Sequence, residues 1–459
     1  MTNKPGQLSK VISVLVLCAF ILPLTMCLEK PVASSAGTKK PRLPRYERCE
    51  DGIWRLKDSK NTADADKTDG GKSAGKAADT GETVKTNKIT GEPVGERTAV
   101  CMFTGDLMCL AGQQYDAGRT GKYDFYPSFK YVDPILKSAD LVCGNLETLL
   151  SESNPITRVQ KYENEQPQCN GPESYLNALK KAGFDMLVTA NNHTCDWGPT
   201  GITETKRHLD DAGFANAGTH YNINVKKPDT AKSGSSTGNE MLNDQAGERY
   251  SIFEANGIKI AILSYTHLMN QRAKMTSAEM KTMVHLFDRD TVEKDIADAK
   301  EAGAEFVAVY LHFGSENVED INSTQSKDAQ FVAEAGADLI IGSHPHCLQK
   351  CAYLKTSDKR KVLCMYSMGN FVSSMERDIN NDTIILRVEI TKTIKRKKIE
   401  VTMTDASYIP CKVLARDGRS FVVMPTNKGL NGGLSYTSLK EAHDRIAAVL
   451  GKAIREYTS

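Results

Sequence analysis

The sequence predicts an α/β fold, and three observations predict it. Short apolar runs such as Val100-Cys101-Met102-Phe103, Leu141-Val142-Cys143, Met186-Leu187-Val188 and Leu339-Ile340-Ile341 have the length of buried strands. Stretches with apolar residues at helical spacing stand between them, the alternation expected of a sheet covered by helices. Each run stops at a polar cluster, and open α/β sheets bind ligands at such carboxyl ends.

The N-terminal part lies outside that pattern. Lys4 and Lys10 precede an apolar run of 18 residues, VISVLVLCAFILPLTMCL, near the lower limit for a membrane span. Residues 1–28 are therefore read as a secretory signal or a membrane anchor, so the protein is expected to be exported. Leu24-Thr25-Met26-Cys27 has the form of a bacterial lipoprotein cleavage box, which would put a lipidated Cys27 on the extracytoplasmic face. Residues 29–97 are polar, rich in Lys, Asp, Gly, Thr and Ala, and bury too little surface to offset the entropy of ordering. They read as a disordered tether, with one patch at Ile53, Trp54 and Leu56 able to dock locally.

The folded domain is expected over residues 98–425. Its first strand ends at Thr104-Gly105-Asp106, and a helix over 126–138 leads to a second strand ending at Gly144-Asn145-Leu146-Glu147. A helix over 172–182, with Pro172 at its start and Gly183 just past its end, leads to a strand over 184–189 that runs into Asn191-Asn192-His193. A further helix covers 200–212, and residues 229–247 form a polar surface loop. Two strand patterns flank Asn256-Gly257 as a hairpin. A helix over 291–302 precedes a strand ending at His312, and a helix over 328–335 precedes one ending in Gly342-Ser343-His344-Pro345-His346. Beyond a strand at 361–365, the patterns at 383–391, 398–404 and 421–424 have no helices between them and read as antiparallel. Residues 426–459 place Leu439, Ala442, Ile446, Val449, Ala453 and Tyr457 on one face, an amphipathic helix packed on the domain.

A formal net charge of +2 gives no reason to expect nucleic acid as a partner. Of the twelve cysteines, Cys101, Cys143 and Cys364 sit within apolar runs, as buried free thiols do, and no regular disulfide framework is visible. Cys347 and Cys351, close to a histidine pair, leave a zinc site or simple packing open.

The strand ends carry the chemistry. Asp106, Asn145, Glu147, Asn192, His193, His312, His344 and His346 all fall there, including four of the nine histidines. Parallel neighbours would line these ends along one edge of the sheet. A mixture of carboxylate, carboxamide and imidazole suits Mn, Fe or Zn better than Ca. Asn192 can offer a carbonyl oxygen, and His193 can ligate a metal or move a proton with Asp196 holding its ring. The same segment is also readable as a helix N-cap with a satisfied histidine. Gly105 and Gly342 would let the backbone approach a ligand.

The motifs GDLM at 105–108, GNLE at 144–147, ANNHTCDWG at 190–198, HFGSE at 312–316, GSHPHCLQ at 342–349 and SMGNF at 367–371 resemble one known family. It is the CapA-type poly-γ-glutamate capsule-biosynthesis family, within the calcineurin-like metallophosphoesterase superfamily. The resemblance implies a sandwich of two mixed β-sheets flanked by helices, with divalent metal at the strand ends. By that resemblance Asp106 is a first-site ligand and Glu147 the bridging carboxylate. Asn192, His312 and His344 serve the second site, and His346 returns to the first. His193 becomes the general acid, oriented by Asp196, and Asn145, Asn191, Glu316 and Asn370 are expected to meet substrate.

The chain departs from the superfamily at Asp106-Leu107-Met108, where Asp-x-His is usual, and at Asn145, where an aspartate is usual. One site for Mn, Fe or Zn is accordingly more secure than two. The implied function is support of poly-γ-glutamate elongation or export at the cell surface, beside a membrane polymer synthase. The alternative is a metal-dependent surface hydrolase acting on phosphoester or amide bonds. An anionic polymer or phosphoester is the expected substrate in either case.

Overall fold

The computed structural model describes residues 46–57, 84–86, 93–154, 161–163, 166–222, 249–395, 398–416 and 420–458. The expected signal or anchor, the lipidation site at Cys27, the loop at 229–247 and most of the expected tether lie outside the described residues.

Two mixed sheets face each other. Strands and helices are numbered along the chain. The first sheet has the spatial order β1 (Tyr46–Arg48), β2 (Trp54–Leu56), β10 (Tyr250–Ala255), β11 (Ile258–Thr266), β12 (Phe306–His312), β13 (Leu339–Ser343), β15 (Lys361–Met365) and β14 (Cys351–Lys355). Its centre, β11 to β12 to β13 to β15, is parallel. The second runs β19 (Ser420–Pro425), β18 (Lys398–Arg416), β17 (Asp382–Lys395), β4 (Pro93–Leu107), β5 (Leu141–Leu146), β8 (Met186–Val188) and β9 (Ala215–Ala217). Here β4, β5, β8 and β9 are parallel, while β17, β18 and β19 form the antiparallel part expected after the alternation ends. β3 (Val84–Thr86) and β16 (Asn370–Val372) also pair with β4, and β20 (Arg455–Glu456) with β18. β6 (Lys161–Glu163) and β7 (Gln166–Gln168) make a separate ribbon.

Side-chain alternation with period two sorts the core into layers. Cys101 and Phe103 of β4, Cys143 of β5 and Met186 of β8 point inward, against Ile260, Ile262, Tyr310 and Ile341 of the first sheet. Their neighbours Met102, Val142 and Leu187 point outward, against Leu136 of α2 (Asp133–Leu136) and Leu176 and Leu179 of α3 (Ser174–Ala182). On the other side Val307, Val309 and Ile340 meet Val292 and Ile296 of α6 (Arg289–Glu301) and Val332 of α7 (Ser323–Glu334). Strands buried on both faces explain why these runs are continuously apolar. Tyr310 ties the sheets together, its hydroxyl donating to the carbonyls of Cys143 at 3.1 Å and Thr104 at 3.3 Å.

The remaining helices are α1 (Ala111–Ala117), α4 (Gly198–Ala212), α5 (Ser277–Met283) and α8 (Thr437–Leu450). The helix expected over 126–138 is instead two short pieces, a 3-10 turn at Tyr126–Phe129 and α2, each opened by a proline near its start. The C-terminal helix buries Leu439, Ala442, Ile446 and Leu450 and stops at Gly451, so Ala453 and Tyr457 pack from beyond its end.

The tether expected over 29–97 needs correction at three places, the first being β3 (Val84–Thr86), which pairs with β4. β4 begins at Pro93, and residues 46–57 form a hairpin whose second strand joins β10 in parallel. Tyr46 and Ile53 are buried, the Tyr46 ring meets Phe253 edge-on at 5.5 Å, and its hydroxyl donates to the Asp140 carbonyl at 2.5 Å. A few apolar residues suffice for this docking, Ile53, Trp54 and Leu56 among them. Tyr46→Ala removes a ring that is 3 % exposed, so it should lower the unfolding free energy by about 3 kcal/mol. A urea midpoint unchanged by the substitution would place the hairpin outside the cooperative fold.

Candidate metal centre

The strand ends expected along one sheet edge come from both sheets. Asp106 on β4, Glu147 after β5 and Asn192 after β8 belong to the second sheet; His312 ending β12, and His344 and His346 after β13, belong to the first. Their carboxyl ends converge where the two inner faces meet. Two groups of possible ligand atoms form there, each within 4.8 Å: Glu147, His312 and His344; and Asp106, Glu147 and His346.

Glu147 is common to both groups and is 0 % exposed. Its Oε1 lies 3.6 Å from His312 Nε2 and 3.7 Å from His346 Nε2, with no hydrogen-bond partner. His346 donates its Nδ1 proton to Asn370 Oδ1 at 2.8 Å, so its Nε2 turns a lone pair toward that carboxylate oxygen. Two acceptors facing across such a gap fit a cation between them, and this tests the expected divalent metal favourably. Asn192 Oδ1 and His312 Nε2 stand 3.0 Å apart, and Asp106 Oδ2 is 3.4 Å from His346 Nδ1. Burial pushes the Glu147 pKa well up, with Asp106 adding to the shift. Burial also lowers His312, and lowers His344 to about 3 with help from His346 and His193. Both rings are therefore neutral near pH 7, the form that ligates metal.

The backbone is strained at this point. His344 has φ 95° and His346 φ 57°, a conformation costing of order 1–3 kcal/mol for a residue with a side chain. Neighbours hold it: the Asn380 side chain donates to the His346 carbonyl at 2.9 Å, and Asn370 fixes the ring.

Three residues expected to meet substrate, Asn145, Asn191 and Asn370, make internal hydrogen bonds around the candidate ligands. Asn145 Nδ2 donates to Asp106 Oδ1 at 2.8 Å and reaches Glu147 Oε2 at 3.5 Å, while its Oδ1 accepts from Asn191. Asn191 spends its remaining donor on the Leu146 carbonyl and its oxygen on the His193 N–H. Asn370 orients His346. These amides hold the candidate ligands in place. Glu316, in contrast, is exposed and shares a 4.8 Å group with His344 and His346, so it offers a carboxylate from the open side.

His193 Nδ1 is 2.7 Å from Asp196 Oδ2, the orientation expected. Sequence reasoning missed what faces its other nitrogen: Cys169 Sγ, 3.9 Å from Nε2. Cys169 follows β7 in a polar stretch without a strand-end motif, and nothing in its spacing marks it. Met108 is buried. Cys347 and Cys351 belong to none of these ligand groups among the described residues, so the zinc alternative for that pair falls to packing. The ten described cysteines are free. Gly105 and Gly342 serve backbone contact rather than a ligand: a Cβ would stand 2.0 Å from the Gly369 carbonyl oxygen and 1.9 Å from that of Tyr366.

Fold and centre together define an α/β sandwich protein with a candidate cation site at the meeting of its two sheets. The model of the family described as bacterial capsule synthesis protein PGA_cap matches residues 100–235 and 235–375, and the chain belongs to that family. It is 28% identical over 307 residues to the PGA biosynthesis protein CapA of Bacillus subtilis (strain 168), covering 66% of this chain and 70% of that one. To the capsule biosynthesis protein CapA of Bacillus anthracis it is 28% identical over 249 residues, 53% of each chain. Among solved structures it is similar to the calcineurin-like phosphoesterase YfkN from Bacillus subtilis, with TM-score 0.39 and 14% identity over 76% of this chain and 98% of that one. It is also similar to the NAD nucleotidase NadN of Haemophilus influenzae, with TM-score 0.40 and 11% identity over 79% and 58%.

If Asn370 acts by orienting His346, Asn370→Ala should weaken metal binding by about 10- to 100-fold while the fold persists. Calorimetric titration of the metal-free variant measures this. Unaltered affinity would remove Asn370 from the support of the centre.

Proposed function

We propose that this protein is an exported surface component of capsule biosynthesis that binds an anionic polymer, poly-γ-glutamate, at a divalent-metal centre. The observation that carries the reading is Glu147 Oε1, buried and without a partner between two imidazoles. Family membership and relatives named for PGA and capsule biosynthesis supply the polymer. The N-terminal apolar run with its preceding lysines supports export and attachment to a membrane, where a polymer synthase would be the partner. Among the described residues no helix is long and apolar enough to cross a membrane, so any anchor is sought in that run.

Asn192, His312, His344 and Glu147 would hold one ion, and Asp106 and His346 contribute to a second position that Met108 leaves without its usual imidazole. Divalent cations there supply positive charge to a carboxylate or phosphate oxygen. The protein's own part is to fix the ligands through Asn145 and Asn370 and to keep His312 and His344 neutral. Glu316 at the exposed side disfavours an anion that approaches without a cation. A second reading, hydrolysis of a phosphoester or amide bond, draws on the position of Glu147, which suits bridging two ions.

Elemental analysis of the wild type loaded with Mn²⁺ and then dialysed should find about one equivalent of metal. Met108→His should raise this toward two, because an imidazole is restored to the poorer position. Chelation should abolish retention of γ-glutamyl polymer, and His344→Ala should reduce it at least tenfold. Polymer retention unaffected by either treatment would refute metal-centred binding; metal-dependent cleavage of the polymer or of a phosphoester would favour the hydrolase.

A further inference from the structure

We propose that Cys169 and His193 form a thiolate-containing cation position beside the centre of Glu147, His312 and His344, backed by Asp196. The inference rests on reading that centre as a metal site, and it gives the chain a sulfur ligand outside the motifs from which the centre was read.

The three side chains are almost wholly enclosed, with Cys169 1 %, His193 2 % and Asp196 0 % exposed. Their ligand atoms lie within 4.8 Å of one another. Asp196 Oδ2 organises the other two: it accepts from the Cys169 backbone N–H at 2.6 Å and meets His193 Nδ1 at 2.7 Å. With Nδ1 committed to a carboxylate, His193 turns Nε2 to its opposite side. A carboxylate behind a histidine is how proteins commonly fix an imidazole on a metal.

What Nε2 faces is Cys169 Sγ at 3.9 Å. That is long for a hydrogen bond from a thiol. A thiolate and an imidazole sharing one tetrahedral zinc stand about 3.6 Å apart, from bonds of about 2.3 Å and about 2.0–2.1 Å. A shift of about 0.3 Å would bring both onto one ion, well within side-chain freedom. Asp196 Oδ1 is in addition a buried carboxylate oxygen without a hydrogen-bond partner.

On binding, the Cys169 thiol and the His193 ring each release to solvent the proton held on the ligating atom, and the sulfur and Nε2 bond to the cation; no redox change occurs. Sulfur makes this position selective for thiophilic ions, Zn²⁺, Co²⁺ or Cd²⁺, over Mg²⁺, Ca²⁺ and Mn²⁺. It also diverts His193 from the general-acid role that the family resemblance implies, since the proton-bearing face of that role is the face turned to the thiol.

Cobalt titration of the metal-free full-length protein separates the possibilities. The wild type should develop a sulfur-to-cobalt charge-transfer absorption in the near ultraviolet. Cys169→Ser should lose that band and still bind cobalt at the main centre, whereas His344→Ala should keep it. Cobalt binding without the band, or a band that survives Cys169→Ser, overturns the thiolate position and leaves the main centre standing. No bound cobalt in any form overturns both. Should the serine variant fail to fold, zinc-edge X-ray absorption of the wild type decides: a sulfur shell near about 2.3 Å is expected, and a shell of nitrogen and oxygen alone contradicts the proposal.

Discussion

Two carboxylates buried side by side set the terms for this structure. Asp106 and Glu147 are both 0 % exposed, and the groups that meet them are an amide, a backbone N–H and imidazoles. Taking such charges from water costs several kcal/mol each unless a countercharge repays it. Protonation of Glu147, toward which burial drives it, is one relief; a divalent cation is the other. The neutral rings of His312 and His344 favour the second, because they add ligands without adding positive charge. The strained φ angles at His344 and His346 fit the same view, since a backbone held in that region is the kind of cost found where function demands it.

The sandwich architecture serves this arrangement. Parallel strands deliver their carboxyl ends to one side of each sheet, and stacking two sheets brings donors of different chemistry together. One sheet supplies oxygen ligands from Asp106, Glu147 and Asn192, while the other supplies nitrogen from His312, His344 and His346. Tyr310 spans the gap with its hydroxyl on two carbonyls of the opposite sheet, which fixes their separation close to the site. The amides of Asn145, Asn191 and Asn370 then form a supporting layer in which nearly every donor and acceptor is used.

Much of this was legible in the sequence, for physical reasons. Strands buried on both faces produce uninterrupted apolar runs, and a polar cluster at the end of such a run has little reason to exist except at a site. Hence Asp106, Glu147, Asn192, His312, His344 and His346 could be named before the fold was seen. Ile53, Trp54 and Leu56 stood out as a local patch, but the pairing of 46–48 with 54–56 did not, because Tyr46 is isolated within a long polar segment. Adjacency across sheets was also hidden: nothing in the spacing of Asn145 or Asn370 tells a ligand-orienting amide from one that touches substrate. Cys169 could not be found at all, since its relation to His193 exists only in three dimensions.

The central claim is that the converging strand ends hold a divalent cation, and crystallography with anomalous scattering at the metal edges tests it most directly. Crystals grown with Zn²⁺ or Mn²⁺ should show an anomalous peak within about 2.0–2.3 Å of Glu147 and the His312 and His344 rings. Well-ordered crystals in which these side chains keep their positions and no peak stands among them would contradict it.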